Sequence, residues 1–199
     1  MANDLKRLTD KSQILDVLLR YCRGVDRRDW ELVRATFFDD CEDDHAEFKG
    51  KRDAFVAWLS ERHSTAGFLK STHILGNCLV EFASDDVAVV ETYFTAKLKL
   101  GTDAGEHRAM LLDAKRDQSS HSVRIEVLGR YVDRFERRHG EWRVARRRTA
   151  FDSMHSESVA ADDTDALNPG WALGTRDKND LVFLVRAEAG LQQPIHAAR

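Results

Sequence analysis

Arg20-Tyr21-Cys22-Arg23-Gly24-Val25-Asp26-Arg27-Arg28-Asp29-Trp30 is the stretch from which the fold is read. Upstream of it, apolar residues recur at Ile14, Leu18, Tyr21 and Val25, with Val17 and Cys22 beside them; this is the spacing of a helix with one buried stripe. The stretch itself ends that helix. Gly24 suits the left-handed residue just past a helix end, and Asp29 suits the cap of a second helix over residues 30–37. Between them lies Asp26, a carboxylate that the turn does not obviously require. Tyr21 lies five residues before it, more than one helical turn, so the phenol can reach a pocket from the helix while the carboxylate reaches it from the turn.

Working outward, an acidic segment at 39–45 reads as a loop entering a short strand. A third helix follows at about 52–62, carrying Phe55, Val56, Trp58 and Leu59. The period then changes to two. Residues 71–82 and 87–100 read as strands joined by a turn at Asp85-Asp86, 101–122 as a long loop, and 123–136 with 142–151 as a hairpin across His139-Gly140. Helices first and an antiparallel meander after them give an α+β domain, a curved antiparallel sheet wrapped around N-terminal helices. The domain spans 1–151. Residues 152–199 form a C-terminal extension, either a lid or an oligomer contact, in which 180–189 can form one more helix or strand.

At 199 residues the chain is one domain with a tail, and its net charge of −3 gives no reason to expect a nucleic-acid or membrane partner. The apolar runs are shorter than a bilayer span, and Met1-Ala2-Asn3-Asp4-Leu5-Lys6 lacks the apolar core of a signal peptide. Cys22, Cys41 and Cys78 are odd in number without CxxC spacing, which points to free thiols and a cytoplasmic protein.

Strand parity narrows the candidates. One face of 71–82 carries Ile74, Cys78, Val80 and Phe82; the other carries His73, Leu75, Asn77 and Leu79. Both faces are apolar enough to be covered, which puts His73 and Asn77 in greasy surroundings and separates Cys78 from His73. In the last strand at least one of Arg146, Arg147 and Arg148 points inward or into an interface, where a guanidinium needs an anion. Histidine is the natural proton-transfer group near neutral pH, and a carboxylate on one ring nitrogen makes the other a better base. Asp26 is the candidate carboxylate, and Tyr21 a group to polarise a carbonyl or assist a leaving hydroxyl. Each residue also has a plainer reading: Asp26 as a helix cap, Tyr21 as a core aromatic, His73 as a satisfied core histidine, the arginines as solvated. Asp43-Asp44-His45 has no second ligand pair, so no metal site is expected.

Taken together, these stretches resemble a family. Residues 14–30 resemble the first helix of the SnoaL-like proteins of the nuclear-transport-factor-two (cystatin-like) superfamily, Ser71-Thr72-His73-Ile74-Leu75-Gly76-Asn77 its histidine strand, and residues 130–142 its closing hairpin. The resemblance implies an α+β cone with an internal pocket. By likeness to scytalone dehydratase, bile-acid dehydratase and hexachlorocyclohexane dehydrochlorinase, it implies a lyase with His73 as base, Asp26 as its partner, and Tyr21 and Arg147 as charge-stabilising groups. The second pocket aspartate of the bile-acid dehydratase is replaced by Ala96. The implied enzyme works without a cofactor by elimination, dehydration or loss of formaldehyde, on a mid-sized aromatic or polycyclic small molecule. Its pocket is lined by Trp30, Phe38, Trp58, Asn77, Tyr93 and Phe151, in a homodimer or homotrimer. Relatives also act as non-catalytic small subunits of ring-hydroxylating dioxygenases, and a small-ligand carrier is a third reading.

Overall fold

Helix α1 (Ala2–Arg27) carries the expected stripe: Ile14, Val17, Leu18, Tyr21, Cys22 and Val25 are all buried. In the computed structural model, which describes residues 2–65, 67–104, 120–160, 168 and 170–191, this helix lies against one face of a six-stranded sheet. It ends later than expected. The left-handed residue is Arg28, with φ of 54°, and Gly24 is helical. Gly24 is required for another reason: a Cβ there would lie 2.6 Å from Val33 Cγ2, so α1 and α2 (Trp30–Ala35) pack too closely for a side chain. Asp29 caps α2, its carboxylate accepting the Leu32 N–H at 3.2 Å.

The acidic segment expected to be a loop is strand β1 (Phe37–His45). Its alternation is hidden by composition. Cys41 and Asp43 are buried, while Asp40, Glu42 and Asp44 face out and meet Arg138, Lys51 and Lys49 at 2.8, 3.0 and 3.3 Å. Then come β2 (Phe48–Lys51), α3 (Arg52–Ser64), β3 (Phe68–Phe82), β4 (Val87–Leu100), β5 (His121–Arg138), β6 (Glu141–Ala160) and α4 (Leu181–Glu188). The sheet order is β2-β1-β6-β5-β4-β3; β1 runs parallel to β6 and the other neighbours are antiparallel. The curved sheet stays open, with the N-terminal helices α1, α2 and α3 packed against it, which is the cone-like α+β architecture. Residues 152–160, assigned from sequence to the extension, continue β6 and pair with β5. The expected loop at 101–122 falls largely on 105–119, outside the described residues.

Among the register shifts of the sheet, those in mid-β3 and early β6 reset the parity on which the site reading depends. In β3, Gly76 and Asn77 stand opposite the single residue Tyr93 of β4, so Cys78 pairs with Thr92 and shares the face of His73. The Thr92 hydroxyl donates to Cys78 Sγ at 3.5 Å, so the two residues are on one face rather than opposite ones. In β6, Ala145 is extra between Val144 and Arg146, so Trp142, Val144 and Arg147 all point inward. At the far end of α1, buried Asp10 accepts from Trp142 Nε1 and Arg137 Nη1, each at 3.0 Å, and ties the helix to the last hairpin. Among the described residues no helix is long and apolar enough to cross a membrane.

Candidate active site

Asp26 sits on the last turn of α1 and His73 near the start of β3. The early β3 residues Ser71 and His73 face α1, and all three meet. His73 Nδ1 lies 2.7 Å from Asp26 Oδ1, the His73 backbone N–H donates to Asp26 Oδ2 at 2.9 Å, and the Ser71 hydroxyl donates to Oδ1 at 2.9 Å. Three bonds fix the carboxylate, and the acceptor it presents to Nδ1 favours the Nδ1–H tautomer. Nε2 of His73 is then the free lone pair; it has no hydrogen-bond partner among the described residues and is not a sealed atom. Both side chains are 11% exposed, enclosed but reachable. Across the sheet from His73 stand Ala96 and then Val127, so the surface beside the imidazole is apolar.

Arg147 is the one arginine of the triplet that turns in, and it is occupied. Its guanidinium donates to Asp133 Oδ1 and Oδ2 at 2.8 and 2.7 Å, with neither side chain exposed. Its carbon lies 4.3 Å from the centroid of the Tyr21 ring and 4.1 Å from that of Tyr131. Burial works against its charge, but the facing Asp133 keeps it protonated, its pKa well above the usual arginine value. Tyr21 is part of the same packed layer, edge-on to Phe37 and Tyr131 at 5.7 Å, and burial pushes its phenol pKa up. The expected substrate-contacting roles of Tyr21 and Arg147 thus meet a sealed arrangement: both side chains are buried and packed on one another in the core.

The remaining expected lining residues divide. Trp30 packs edge-on to His63 at 5.8 Å, and Phe151 edge-on to His45 at 5.7 Å. Asn77 is exposed in the β3 bulge, and Tyr93 is 39% exposed on the outer face beneath Arg130, so neither lines the interior; the bulge and the outward parity of β4 explain both. Phe38 is covered by the guanidinium groups of Arg138 and Arg143, at 4.2 and 5.7 Å, and belongs to a salt-bridged rim.

Three titratable groups hold buried places that the sequence reading did not give them. His45, at the end of β1, has Nδ1 3.0 Å from the Thr149 hydroxyl, and its pKa is pushed down to about 3, by burial first and then by the charges of Arg147 and His73. Asp43 is buried with both oxygens unpartnered among the described residues, and burial pushes its pKa up to about 7. His63 stacks on Phe68 at 4.2 Å, and its Nδ1 lies 2.6 Å from Arg176 Nη2. Arg176 also donates to the Asp26 and Val25 carbonyls at 3.2 and 3.4 Å, closing the open end of α1 from the C-terminal segment. Asp43 and His45 share the inward parity of Cys41, but the acidic residues between them hide that alternation in the sequence. Among the described residues, no group of three or more His, Cys, Asp or Glu side chains is placed to hold a metal ion.

An open, cone-like six-stranded sheet thus holds a histidine–aspartate pair against the end of its N-terminal helix. The SnoaL-like domain profile matches residues 6–148, and the chain belongs to that family. No curated protein sequence matches it. Among solved structures it is similar to a type 2 hexachlorocyclohexane dehydrochlorinase, LinA, with 20% identity, a TM-score of 0.63, and 84% of this chain and 99% of that one covered. It is also similar to a provisionally assigned scytalone dehydratase from Novosphingobium aromaticivorans, with 20% identity, a TM-score of 0.61, and 82% and 99% covered. The type 3 LinA of Novosphingobium barchaimii gives 20% identity, a TM-score of 0.59, and 77% and 93% covered.

Proposed function

We propose that this protein is a cofactor-independent lyase in which His73, oriented by Asp26, removes a proton from carbon and a small group then leaves. The observation that carries the reading is the 2.7 Å contact from His73 Nδ1 to a carboxylate that is itself held by Ser71 and by the His73 backbone. Asp26 accepts the Nδ1–H, and Nε2 takes the substrate proton. The resulting imidazolium stays paired with Asp26, which offsets the charge formed in a part-buried site. The C–H electron pair forms the new double bond as the leaving group departs, and Nε2–H returns its proton to a departing oxygen or to water. Loss of water balances in this way. For loss of formaldehyde, Nε2 takes the O–H proton of a hydroxymethyl group instead, the O–H pair forms the C=O of formaldehyde, and the C–C pair forms the double bond as hydroxide leaves with the returned proton.

The substrate class is a mid-sized aromatic or polycyclic compound. Apolar Ala96 and Val127 beside His73, with Trp58 and Phe151 around His45, support it. Named relatives act in the same sense: the type 2 LinA is a dehydrochlorinase, and the Novosphingobium aromaticivorans neighbour is assigned as a scytalone dehydratase. Ile74, Leu79 and Val89, 53%, 56% and 45% exposed on the outer sheet face, support a homo-oligomer, which sedimentation would read directly.

The test is a screen of phenolic, hydroaromatic and polycyclic alcohols and ketones for thermal stabilisation, followed by product analysis of each binder. Conversion of a binder with loss of a small molecule, abolished in His73→Asn, supports the lyase. Co-purification with a large iron–sulfur subunit, with no conversion of any binder, would overturn it in favour of an assembly role.

A further inference from the structure

We infer that His45 is a second functional imidazole, which donates its Nε2–H to a carbonyl or phenolic oxygen of the substrate while His73 removes the neighbouring proton. This rests on the His73–Asp26 reading above and narrows its substrate to compounds whose acidic C–H lies next to, or is conjugated with, a C=O group.

The position follows from the strands. His45 has the inward parity of Cys41 and Asp43, and its ring is bracketed by Phe55 at 5.6 Å, Trp58 at 5.9 Å and Phe151 at 5.7 Å. His73 has the inward parity of its buried β4 partner Ala96, so both imidazoles face the inner side of the sheet. Thr149 faces inward with Arg147 because of the extra residue Ala145, and this parity brings its hydroxyl to 3.0 Å from His45 Nδ1.

Hydrogen-bond accounting favours one tautomer. The Thr149 hydroxyl has one hydrogen, and among the described residues His45 Nδ1 is its only acceptor. Donating it there satisfies the hydroxyl and leaves the ring proton on Nε2. Nε2 of His45 has no hydrogen-bond partner among the described residues and is not a sealed atom. The two imidazoles are therefore set in opposite senses. Asp26 gives His73 an Nε2 that accepts, and Thr149 gives His45 an Nε2 that donates.

The chemistry needs such a donor. When His73 takes the proton, the C–H electrons move onto the carbonyl oxygen, and a neutral imidazole N–H can stabilise that oxygen without giving up its proton. Tyr21 and Arg147, the other groups suited to this task, are enclosed in the core or bound to Asp133. A chlorinated hydrocarbon offers no such oxygen, which separates this site from one built for dehydrochlorination.

The experiment uses the 15N-labelled full-length protein and 4-nitrophenolate, a stable mimic of the oxyanion. Long-range 1H–15N spectra should show His45 neutral with its proton on Nε2, and added 4-nitrophenolate should shift that nitrogen. His45→Phe with Thr149→Val keeps an aromatic ring among aromatic neighbours and strands no hydroxyl; it should bind the phenolate at least ~10-fold more weakly, the size of one charge-assisted bond. His73→Asn should retain the phenolate and lose only proton transfer, so failure of the base and failure of the donor are read separately. An Nδ1–H tautomer or an imidazolium at His45, unchanged phenolate affinity in the double variant, or no phenolate binding by the wild type would each overturn the inference.

Discussion

Asp26 Oδ1 lies 2.7 Å from His73 Nδ1, while the other oxygen of the same carboxylate, Oδ2, accepts the His73 backbone N–H at 2.9 Å. One helix end thus grips both the ring and the main chain of a single strand residue, fixing the distance and the orientation of the imidazole. Nothing in a helix cap calls for this arrangement, and α2 has its own cap in Asp29. The carboxylate is committed to His73.

The Arg147–Asp133 pair is expected to behave as structure. Arg147→Met alone leaves a buried carboxylate unpaired and should cost about 3–5 kcal/mol. Adding Asp133→Leu should restore most of that, since the rings of Tyr21 and Tyr131 already enclose the position. Urea denaturation of the single and double variants reads both. A single variant as stable as wild type would contradict the packing described.

Asp43 should lower stability at neutral pH. Its folded pKa of about 7 stands above the unfolded value, so the folded state holds a proton that the unfolded state releases, and stability falls as pH rises from about 4 to 7. Asp43→Asn should therefore raise stability by up to about 4 kcal/mol at pH 7 and above, and by almost nothing near pH 4. Melting temperatures across that range check the sign.

Acid should act in the opposite sense through the histidines. His45 and His63 are both held neutral by burial, with pKa values depressed below the ordinary histidine range. The stability they permit is present above about pH 6.5 and is lost as pH falls, because only the unfolded chain takes up the protons readily. His45→Phe with Thr149→Val should flatten the acid limb of the melting-temperature profile. An unchanged limb would mean that His45 is already protonated in the fold.

Gly24→Ala is expected to destabilise even though alanine favours helix. The propensity gain of about 1 kcal/mol is outweighed by a Cβ placed 2.6 Å from Val33 Cγ2, which must push α2 away at a cost of about 1–3 kcal/mol or more. Val33→Ala in the same chain should relieve part of the loss, as a thermal melt would show.

Much of this was legible in the sequence. The stripe from Ile14 to Val25 fixed the buried face of α1, and the shift to period two after Ser71 announced the sheet. His73 and Asp26 could be paired because one ends a helix and the other lies near the start of a strand, where parity still counts from a known edge. Parity failed beyond Gly76-Asn77 and Ala145, where one extra residue exchanges the two faces without changing composition. That is why Asn77 was placed on the face of His73 and Cys78 on the opposite one. Strand β1 was missed because three outward acidic residues masked its alternation, and His45 was missed with it. Gly24 was assigned to a turn because close packing of two helices leaves the same mark in a sequence as a left-handed bend.

The base itself is tested most directly by deuterium exchange. Each compound that stabilises the protein is incubated with it in D2O, and incorporation at carbon is followed by mass spectrometry, which reports proton removal whether or not the leaving group departs. Wild-type protein should catalyse incorporation, Asp26→Asn should slow it by roughly 10²–10⁴-fold, and His73→Asn should reduce it to the uncatalysed rate. Exchange at the wild-type rate in folded His73→Asn protein would contradict the proposal that His73 is the base.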